Sequence, residues 1–288
     1  MAVREQHASG LDYLELSTEL LQRARLAHPT AGVWEAADLQ WWWRTPRSSD
    51  SVEQSFWLDG DGPVAAIVLT DWGRNWGCDP VLVPDIAGTM LPVVWSHAIK
   101  LIESLKLANV EVAARDDDPA LLQLLGESGF APTEEHSGTT WMAAEERPGL
   151  QSLHKGFRLL DRTQAGERPH HMARRNGAAV EARLRQCSLY DPNLDLAVEA
   201  SNGDMAAYGL FWFDPVTSVG LVEPMRTEDQ YQRLGLARAL LAEGLHRLAA
   251  RGARRLKVGY VTAAARNLYL SAGFQAASTS RTYVRLYR

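Results

Sequence analysis

The sequence predicts an α/β protein with mixed sheets, made of two tandem modules that each hold a central, mostly antiparallel sheet flanked by helices. The chain has 288 residues, which exceeds the size that one hydrophobic core usually fills, so two domains are expected. The same order of elements also occurs twice, and each copy closes with a helix, a Gly-Phe pair and a final strand. We therefore expect one module in residues 1–150 and a second in residues 151–288.

The elements of the first module follow from its hydrophobic pattern. Alternating and helical periodicity predict, in order, a strand at Pro63–Thr70, a helix at Leu91–Leu107, a strand at Val110–Ala114 and a helix at Pro119–Glu127. The segment from Asp79 to Leu91 keeps one glycine and has no basic residue. Because a phosphate group there would meet negative charge, we expect that this module has lost cofactor binding.

The second module repeats this order with a longer amphipathic helix. The same patterns predict strands at Ala206–Phe213 and Val219–Met225, a helix at Gly235–Arg251, a strand at Leu256–Val261 and a helix at Ala263–Ala272. The long helix has one apolar stripe, so we expect it to dock on a sheet. That stripe consists of Leu236, Leu240, Leu241, Gly244, Leu245 and Leu248.

Composition narrows the class of protein. The residues are 46% hydrophobic and 23% charged, and no stretch reaches the roughly 18 uncharged apolar residues of a membrane span. The first ten residues lack the features of a secretion signal, so a cytoplasmic location is expected.

Cys78 and Cys187 are the two cysteines, which excludes a disulfide framework. Since His170, His171 and His246 have no ligand at metal spacing, we expect surface or packing roles for them and no metal.

The charges divide unevenly between the two halves. Residues 1–154 hold 10 Lys and Arg against 23 Asp and Glu, whereas residues 155–288 hold 20 against 12. A basic second half suits a polyanionic ligand, and an acidic first half could attract a cationic one, although both could equally be solvated surface.

A glycine-containing turn opens the long helix of the second module. The first amide groups of a helix have no partner within the helix, and with the helix dipole they favour an oxyanion such as a pyrophosphate. Gly235 and Ala237 leave room for close approach, and the side chains of Gln232 and Arg233 can add donors. The candidate residues are Gln232, Arg233, Leu234, Gly235, Leu236, Ala237 and Arg238.

The pattern Gln232-x-x-Gly235-x-Ala237 resembles the Q/R-x-x-G-x-G/A signature of the GNAT acetyltransferase superfamily, in which this loop holds the pyrophosphate of CoA. Further along, Ala265 to Tyr269 and then Gly273-Phe274 resemble the family's A-x-x-L-Y-x-x-x-G-F motif. The resemblance covers residues 206–285, and the first half only through its order of elements. That order is also similar to tandem members of the mycothiol synthase kind, in which one half is active. The resemblance implies acetyl-CoA, or another short acyl-CoA, as the cofactor.

The same resemblance implies where the rest of the cofactor lies. In this family two strands part near the position of Pro224, and the pantetheine arm pairs with the exposed backbone, here that of Met225, Arg226 and Thr227. Proline fits such a gap because it cannot donate to a strand ladder. Many relatives carry Asn where this chain has Thr262, which can cap the next helix and adds a further contact. Arg266 lies within the second motif and is also assigned to the cofactor.

Acyl transfer to an amine needs a neutral nucleophile, a polarised carbonyl and a proton for the departing thiolate. By the resemblance, Tyr269 is the general acid, although an aromatic packing role would also explain it. A backbone amide near Met225 is the oxyanion donor by the same resemblance. Glu223 ends a strand beside the gap, where partial burial could raise its pKa. It either accepts the proton of the acceptor ammonium or positions the cation without taking a proton.

Tryptophans are concentrated in the first half, which holds nine of the ten. Trp41, Trp42 and Trp43 are consecutive, and neither a helix nor a strand sends three consecutive side chains the same way, so at least one should face a cleft or partner. Aromatic walls and negative charge would suit an acceptor with a cation and an apolar body. We assign Trp42, Tyr190 and Trp212, with Glu223, to the acceptor site, against the alternative that they are core residues.

The sequence therefore favours an N-acetyltransferase that uses a small-molecule or peptide amine as acceptor. A non-catalytic acyl-CoA sensor or scaffold is the alternative, since a fold does not fix activity. No dense basic tract occurs, so nucleic acid is not expected as a partner. The protein is expected to be either a monomer whose halves form a pseudo-dimer or a homodimer.

Overall fold

The protein was analysed as a computed structural model, which describes residues 3–286 as two compact units. The first unit consists of residues 3–39, 46–137 and 278–286, and the second of residues 40–45 and 138–277. Within the described residues, none of the helices combines the length and the apolarity that crossing a bilayer requires. The mixed α/β class predicted from the sequence is confirmed.

The first unit contains a mixed sheet with helices α1, α3 and α4. Its strands follow the order β1-β2-β3-β4-β5-β12-β6, and within it β4 and β5 run parallel. The elements are β1 (Arg4–Ala8), α1 (Gly10–Ala27), α2 (Ala36–Trp42), β2 (Gln54–Asp59), β3 (Gly62–Asp71), β4 (Trp76–Leu82), α3 (Pro84–Ser104), β5 (Asn109–Arg115), α4 (Pro119–Glu127), β6 (Ala131–Ala143) and β12 (Gln275–Leu286).

The second unit has the strand order β6-β11-β10-β9-β8-β7, with one parallel pair, β10 and β11. Its long helix α7 contacts β8, β9 and β10. The elements are β7 (Phe157–Asp161), α5 (Ala173–Asn176), α6 (Val180–Leu184), β8 (Asp195–Ala200), β9 (Met205–Asp214), β10 (Val219–Thr227), α7 (Leu236–Ala250), β11 (Arg255–Tyr260) and α8 (Ala263–Ser271).

The boundary between the two units does not lie at a single position near residue 150, because each unit is built from more than one segment of the chain. The strand after the first Gly-Phe pair, β6, pairs with β11 through Gly138–Ala143. The last strand, β12, pairs with β5 through Ser280–Leu286. The two final strands thus each contribute residues to both units. Periodicity identifies a strand, but the choice of its neighbour depends on distant residues, so the sequence predicted these strands without their partners.

The helix of the first unit begins earlier than the sequence predicts. The segment expected to be a lost phosphate loop is the end of β4 followed directly by α3, which starts at Pro84 and not at Leu91. Proline suits this first helical position because its fixed φ is helical and no amide hydrogen is needed there. Pro92 lies inside the same helix, and this proline obscured the helical pattern on its N-terminal side.

The apolar stripe predicted for α7 is confirmed, since all six of its residues are buried. Gly244 is the point of closest approach, because a Cβ atom there would lie 2.1 Å from the ring of Phe211. The glycine lets the helix backbone rest on the β9 side chain, and this contact holds α7 against the sheet. The same helix also contacts β10.

Candidate active site

Two parallel strands of the second unit part at Glu223. Strand β10 pairs with β11 from Val219 to Val222, opposite Arg255 to Val258, and no further. The pairing of β10 with β9 shifts register between Val222 and Met225 and then continues to Thr227. Pro224 sits in this irregularity and has no amide hydrogen for a ladder. Met225, Arg226 and Thr227 therefore have no backbone partner on the β11 side among the described residues.

A cluster of unpaired amide hydrogens lies at the start of α7. Arg233 and Gly235 both have left-handed backbone, with φ of 63° and 76°. The first helical bond is that from the Ala239 amide to the Gly235 carbonyl, at 3.1 Å. Between residues 233 and 238 no amide has an acceptor in the part of the chain that the structure describes. Six donors near a helix N-terminus provide the electrostatics and the hydrogen bonds that an oxyanion requires.

The side chains around this turn differ in exposure. Gln232, Arg233, Leu234, Gly235 and Arg238 are exposed, Ala237 is half-buried, and Leu236 is buried. The Gln232 side-chain amide donates to Asp229 at 3.2 Å, and the Arg238 guanidinium donates to Ser271 at 3.3 Å. Two of the expected side-chain donors are thus engaged with neighbours, and Leu236 anchors the helix in the core. Among the described residues, the donors without a partner at this turn are the backbone amides and the Arg233 side chain, and the Arg238 guanidinium keeps N–H groups beyond the one that bonds Ser271.

An ionic cluster borders the turn on the β10 side. Glu228 lies 3.5 Å from Arg226, 3.2 Å from Arg174 and 2.8 Å from Arg175. The hydrogen bond from Arg175 holds the pKa of the Glu228 carboxyl below its ordinary value, with smaller contributions from the other two arginines. Three guanidinium groups around this carboxylate leave positive charge beside the unpaired amides, and this charge favours an anionic ligand.

The opposite wall of the gap is formed by β11 and α8. Thr262 precedes α8 and accepts a hydrogen bond from the Ala265 amide at 3.2 Å, so it caps the helix as expected. Thr262 and Arg266 are exposed. Tyr269 lies in the next turn and is buried, with its ring 6.2 Å from that of Phe274 in an edge-on contact. The Thr262 cap defines where α8 begins, and the contact with Phe274 holds the Tyr269 ring in place.

Tyr269 and Glu223 interact electrostatically. Burial raises the pKa of the Tyr269 hydroxyl above its ordinary value, and the negative charge of Glu223 raises it further. Glu223 is half-buried at the point where the strands part. Tyr269 therefore keeps its proton at neutral pH and lies within electrostatic range of the Glu223 carboxylate.

Two of the residues assigned to the acceptor site, Trp212 and the half-buried Tyr190, are engaged with other residues of the second unit. Trp212 is fully buried, and its indole nitrogen donates to the Glu223 carbonyl oxygen at 2.7 Å. Tyr190 packs beside it, with ring centroids 6.3 Å apart, and its hydroxyl donates to Asp195 at 2.8 Å. A fully buried indole cannot touch an acceptor molecule, so Trp212 acts on Glu223. The third candidate, Trp42, is half-buried, whereas Trp41 and Trp43 are buried.

A buried cluster around Asp195 has no counterpart in the sequence analysis. The Nε2 atoms of His170 and His171 lie 2.8 and 2.9 Å from the two oxygens of Asp195, so these histidines do have a carboxylate beside them. Burial opposes ionisation of Asp195, but its attraction to His171 and the hydrogen bond from His170 outweigh burial and lower its pKa. No sequence signal pointed to this contact, because Asp195 begins a strand 24 residues beyond the histidine pair.

The hydrogen bonds of His170 restrict what this cluster can hold. The Met172 amide donates to His170 Nδ1 at 3.1 Å, so the ring proton sits on Nε2 and points to Asp195. Because Nδ1 of His170 already accepts a hydrogen bond, a metal on Nε2 would leave this ring without a proton on either nitrogen, which does not suit a neutral imidazole ligand. The cluster is a hydrogen-bond network around one oxygen of Asp195, which bonds His170 and Tyr190, with His171 close to the other oxygen. It supports Tyr190, which packs against Trp212.

Comparison with protein families identifies the second half of the chain. Residues 156–274 match the model of the Acetyltransferase (GNAT) family. No curated protein matches the chain.

Solved structures extend the likeness to the whole chain. A tandem GNAT protein from the clavulanic acid biosynthesis pathway superposes with a TM-score of 0.73 at 13% identity, covering 99% of this chain and 98% of that one. A GCN5-related N-acetyltransferase from Sphaerobacter thermophilus has a TM-score of 0.66 at 16% identity, over 99% and 95%. A GNAT-family acetyltransferase from Colwellia psychrerythraea has a TM-score of 0.60 at 13% identity, over 99% and 100%. At these identities the likeness establishes the tandem fold.

Proposed function

We propose that this chain, which has the tandem GNAT fold and a GNAT acetyltransferase domain at residues 156–274, transfers an acetyl or short acyl group from CoA directly to a primary amine of a small molecule or peptide. Enzymes of this family generally use acetyl-CoA and amine acceptors. The observation that carries the proposal is the pairing of β10 with β11, which ends at Val222 beside the unpaired amides of residues 233–238.

The residues at the gap fit a CoA thioester. The amides of residues 233–238 would hold the pyrophosphate, with the exposed side chains of Arg233, Arg238 and Arg266 placed for further phosphate contacts. The open edge of Met225, Arg226 and Thr227 would pair with the amide groups of the pantetheine arm, as an added strand does. The Thr262 hydroxyl accepts from Ala265, which leaves its own hydrogen for a ligand.

In this assignment the acyl-CoA would supply an activated carbonyl, and the side chains of Glu223 and Tyr269 accept and donate the protons. Glu223 accepts the proton of the acceptor ammonium, directly or through water, and so makes the amine nucleophilic. Tyr269 gives its hydroxyl proton to the departing sulfur, and the tyrosinate then takes the second proton that the acceptor nitrogen loses as the amide forms. An amide of the open β10 edge near Met225 donates to the developing oxyanion.

The two proton transfers support one another. The charge of Glu223 contributes to the raised pKa of Tyr269. When Glu223 takes a proton from the acceptor, that contribution disappears, and the hydroxyl becomes a better acid at the stage that needs its proton. Protonation of Glu223 therefore lowers the pKa of Tyr269 at the stage when the departing sulfur needs a proton.

Two measurements test the proposal on the full chain. Calorimetric titration with acetyl-CoA should give one site per chain, because the corresponding segment of the first unit, residues 79–91, has no basic residue and carries negative charge. Release of CoA thiol should then be followed over a panel of primary amines and peptides. Two equal CoA sites would contradict the division between the units. One site without thiol release for any acceptor would favour an acyl-CoA sensor.

A further inference from the structure

We propose that the first unit has a ligand site of its own, which binds a small apolar molecule through a protonated amine paired with Asp79. This inference does not depend on the acyl transfer proposed for the second unit, because every residue that carries it lies within residues 21–124.

The site is a cavity of about 640 Å³. That volume lies within the range of roughly 300–1,000 Å³ typical of small-molecule pockets. Its walls come from β4, β5, the helices α1, α3 and α4, and the segment before α2. Most of the wall is apolar, and its large apolar residues include Leu21, Val33, Val81, Leu91, Leu121 and Leu124.

The cavity opens where two parallel strands part, as in the second unit. Strand β4 pairs with β5 only at Trp76 and Gly77. Beyond that point the Ala113 amide of β5 donates to the Asp79 side chain at 3.2 Å, in place of a backbone carbonyl of β4. The carboxylate is 5% exposed. A titratable carboxyl group thus lies beyond the last paired residues of these strands, where the second unit has open backbone.

The start of α3 does not suit a phosphate group. Pro84 has no amide hydrogen, the Ile86 amide donates to the Val83 carbonyl at 3.2 Å, and Asp85 adds negative charge in the first turn. This differs from α7, whose first amides are unpaired. A diphosphate would meet repulsion here, so the parting of the strands does not make this cavity a second CoA site.

The basic side chains of the wall are already paired. Arg25 forms a buried ion pair with Glu35, and the Arg115 guanidinium donates to both oxygens of Asp117 at 2.7 Å. Asp79 has no ion-pair partner among the described residues. When Asp79 is ionised, the charge that remains for a ligand is negative, which favours a cation.

The surroundings of Asp79 match an ammonium group. Burial raises the pKa of its carboxyl to about 7, and the charge of Glu111 acts in the same direction, whereas hydrogen bonds from Ala113 and Trp34 oppose the rise. A protonated amine would supply the missing positive charge and a charge-assisted hydrogen bond. Trp34 lines the same cavity, and the rings of tryptophan attract cations.

The experiment uses N,N-dimethylphenethylamine, a tertiary amine that cannot be acylated, and the neutral 2-phenylethanol as matched probes. Both are titrated into the full chain at pH 8 by calorimetry. We expect saturable binding of the amine, and about 10- to 100-fold weaker binding of the alcohol, the equivalent of one charge-assisted hydrogen bond. Equal affinity for the two probes, or no binding of the amine, would overturn the proposal.

Substitutions in and near the cavity test whether the amine probe binds there. Asp79→Asn should weaken amine binding by the same about 10- to 100-fold, while Asp85→Asn, an exposed carboxylate at the start of α3, should not change it. Gly88→Leu should also abolish binding, since Gly88 lines the cavity and a Cβ atom there meets nothing within 4 Å. This second variant keeps the test decisive if Asp79→Asn folds poorly. Weaker binding in Glu223→Gln but not in Asp79→Asn would place the amine in the second unit and refute the site.

Discussion

The indole nitrogen of Trp212 donates a hydrogen bond to the carbonyl oxygen of Glu223 at 2.7 Å. Glu223 is the residue at which β10 leaves β11, so its carbonyl has lost its regular ladder position. Trp212 is the neighbour from β9 that takes over this acceptor, and the ring is completely buried. The buried indole of Trp212 thereby stabilises the irregular backbone at Glu223, the residue that we propose as proton acceptor.

Trp212→Phe removes the hydrogen bond from the indole nitrogen to the Glu223 carbonyl. We expect the free energy of unfolding to fall by about 1–3 kcal/mol. We also expect kcat/KM for acyl transfer to fall by about ten- to hundredfold, because a small displacement of Glu223 misplaces the base. Trp95→Phe in the first unit is the matched control, since Trp95 is buried and donates to Ser128 at 2.8 Å. It should lose similar stability in urea denaturation and keep its activity once folded; an equal loss of activity in both would contradict the role of Trp212.

Gly235→Ala tests the amide cluster at the start of α7. Gly235 has a φ of 76°, so an added Cβ costs about 1–2 kcal/mol of backbone strain. The Cβ would also project into space that holds no protein atom within 4 Å, where we place the pyrophosphate. We expect calorimetry to show about tenfold weaker binding of acetyl-CoA, which corresponds to about 1.4 kcal/mol. Gly129→Ala has the same strain, with φ of 78° and open space, and should leave the affinity unchanged.

Tyr269→Phe keeps the buried ring and removes the proton donor. We expect kcat to fall by about 10²- to 10⁴-fold, the usual contribution of a general acid. The dissociation constant of acetyl-CoA should change little, because the ring contact with Phe274 remains. Tyr283→Phe on β12 serves as the control. If Tyr269→Phe weakens cofactor binding while kcat is retained, the tyrosine is a packing residue and not the acid.

Glu223→Gln separates the two roles left open for this carboxylate. As a proton acceptor, its loss should lower kcat/KM by about 10²- to 10⁴-fold and remove the acidic limb of the pH–rate profile. As a positioning group, its loss should raise KM for the amine and leave kcat and the profile in place. Steady-state kinetics from pH 5 to 10 distinguish the two. Glu243→Gln, on α7 and paired with Arg247, controls for the loss of a carboxylate in the same unit.

Asp79 should make the stability of the chain depend on pH. Burial raises the pKa of its carboxyl from the ordinary value of 3.8 to about 7 in the folded protein. The folded state therefore binds the proton more tightly than the unfolded state, so stability is fully present below about pH 4 and is lost as the pH rises to about 7. The difference is on the order of 4 kcal/mol.

Urea denaturation at pH 5 and pH 8 measures this dependence. The loss of stability between the two should be smaller in Asp79→Asn than in the unsubstituted chain, because the amide does not titrate. Asp85→Asn, which alters an exposed carboxylate, should keep the full dependence. Equal pH dependence in Asp79→Asn and the unsubstituted chain would show that Asp79 does not hold a raised pKa.

In the second half of the chain, local sequence patterns predicted helices correctly but did not predict which aromatic residues are buried. The stripe on α7 was predictable because helical periodicity places Leu236, Leu240 and Leu245 on one face whatever the partner is. The start of α8 was predictable because Thr262 is a strong cap. The position of Trp212 was not predictable from such signals. An aromatic residue in an apolar strand has the same pattern whether it lines a site or is buried behind one.

The sequence by itself determined the class of the fold, the doubling of the module and the motif at Gly235, since these depend on residues near one another in the chain. The tertiary structure decided which strands β6 and β12 pair with, that His170 and His171 surround Asp195, and that Asp79 is buried without an ion-pair partner among the described residues. The physical reason is that hydrogen bonding, burial and charge pairing act between atoms close in space. Their partners here come from distant parts of the sequence, which the fold brings into contact.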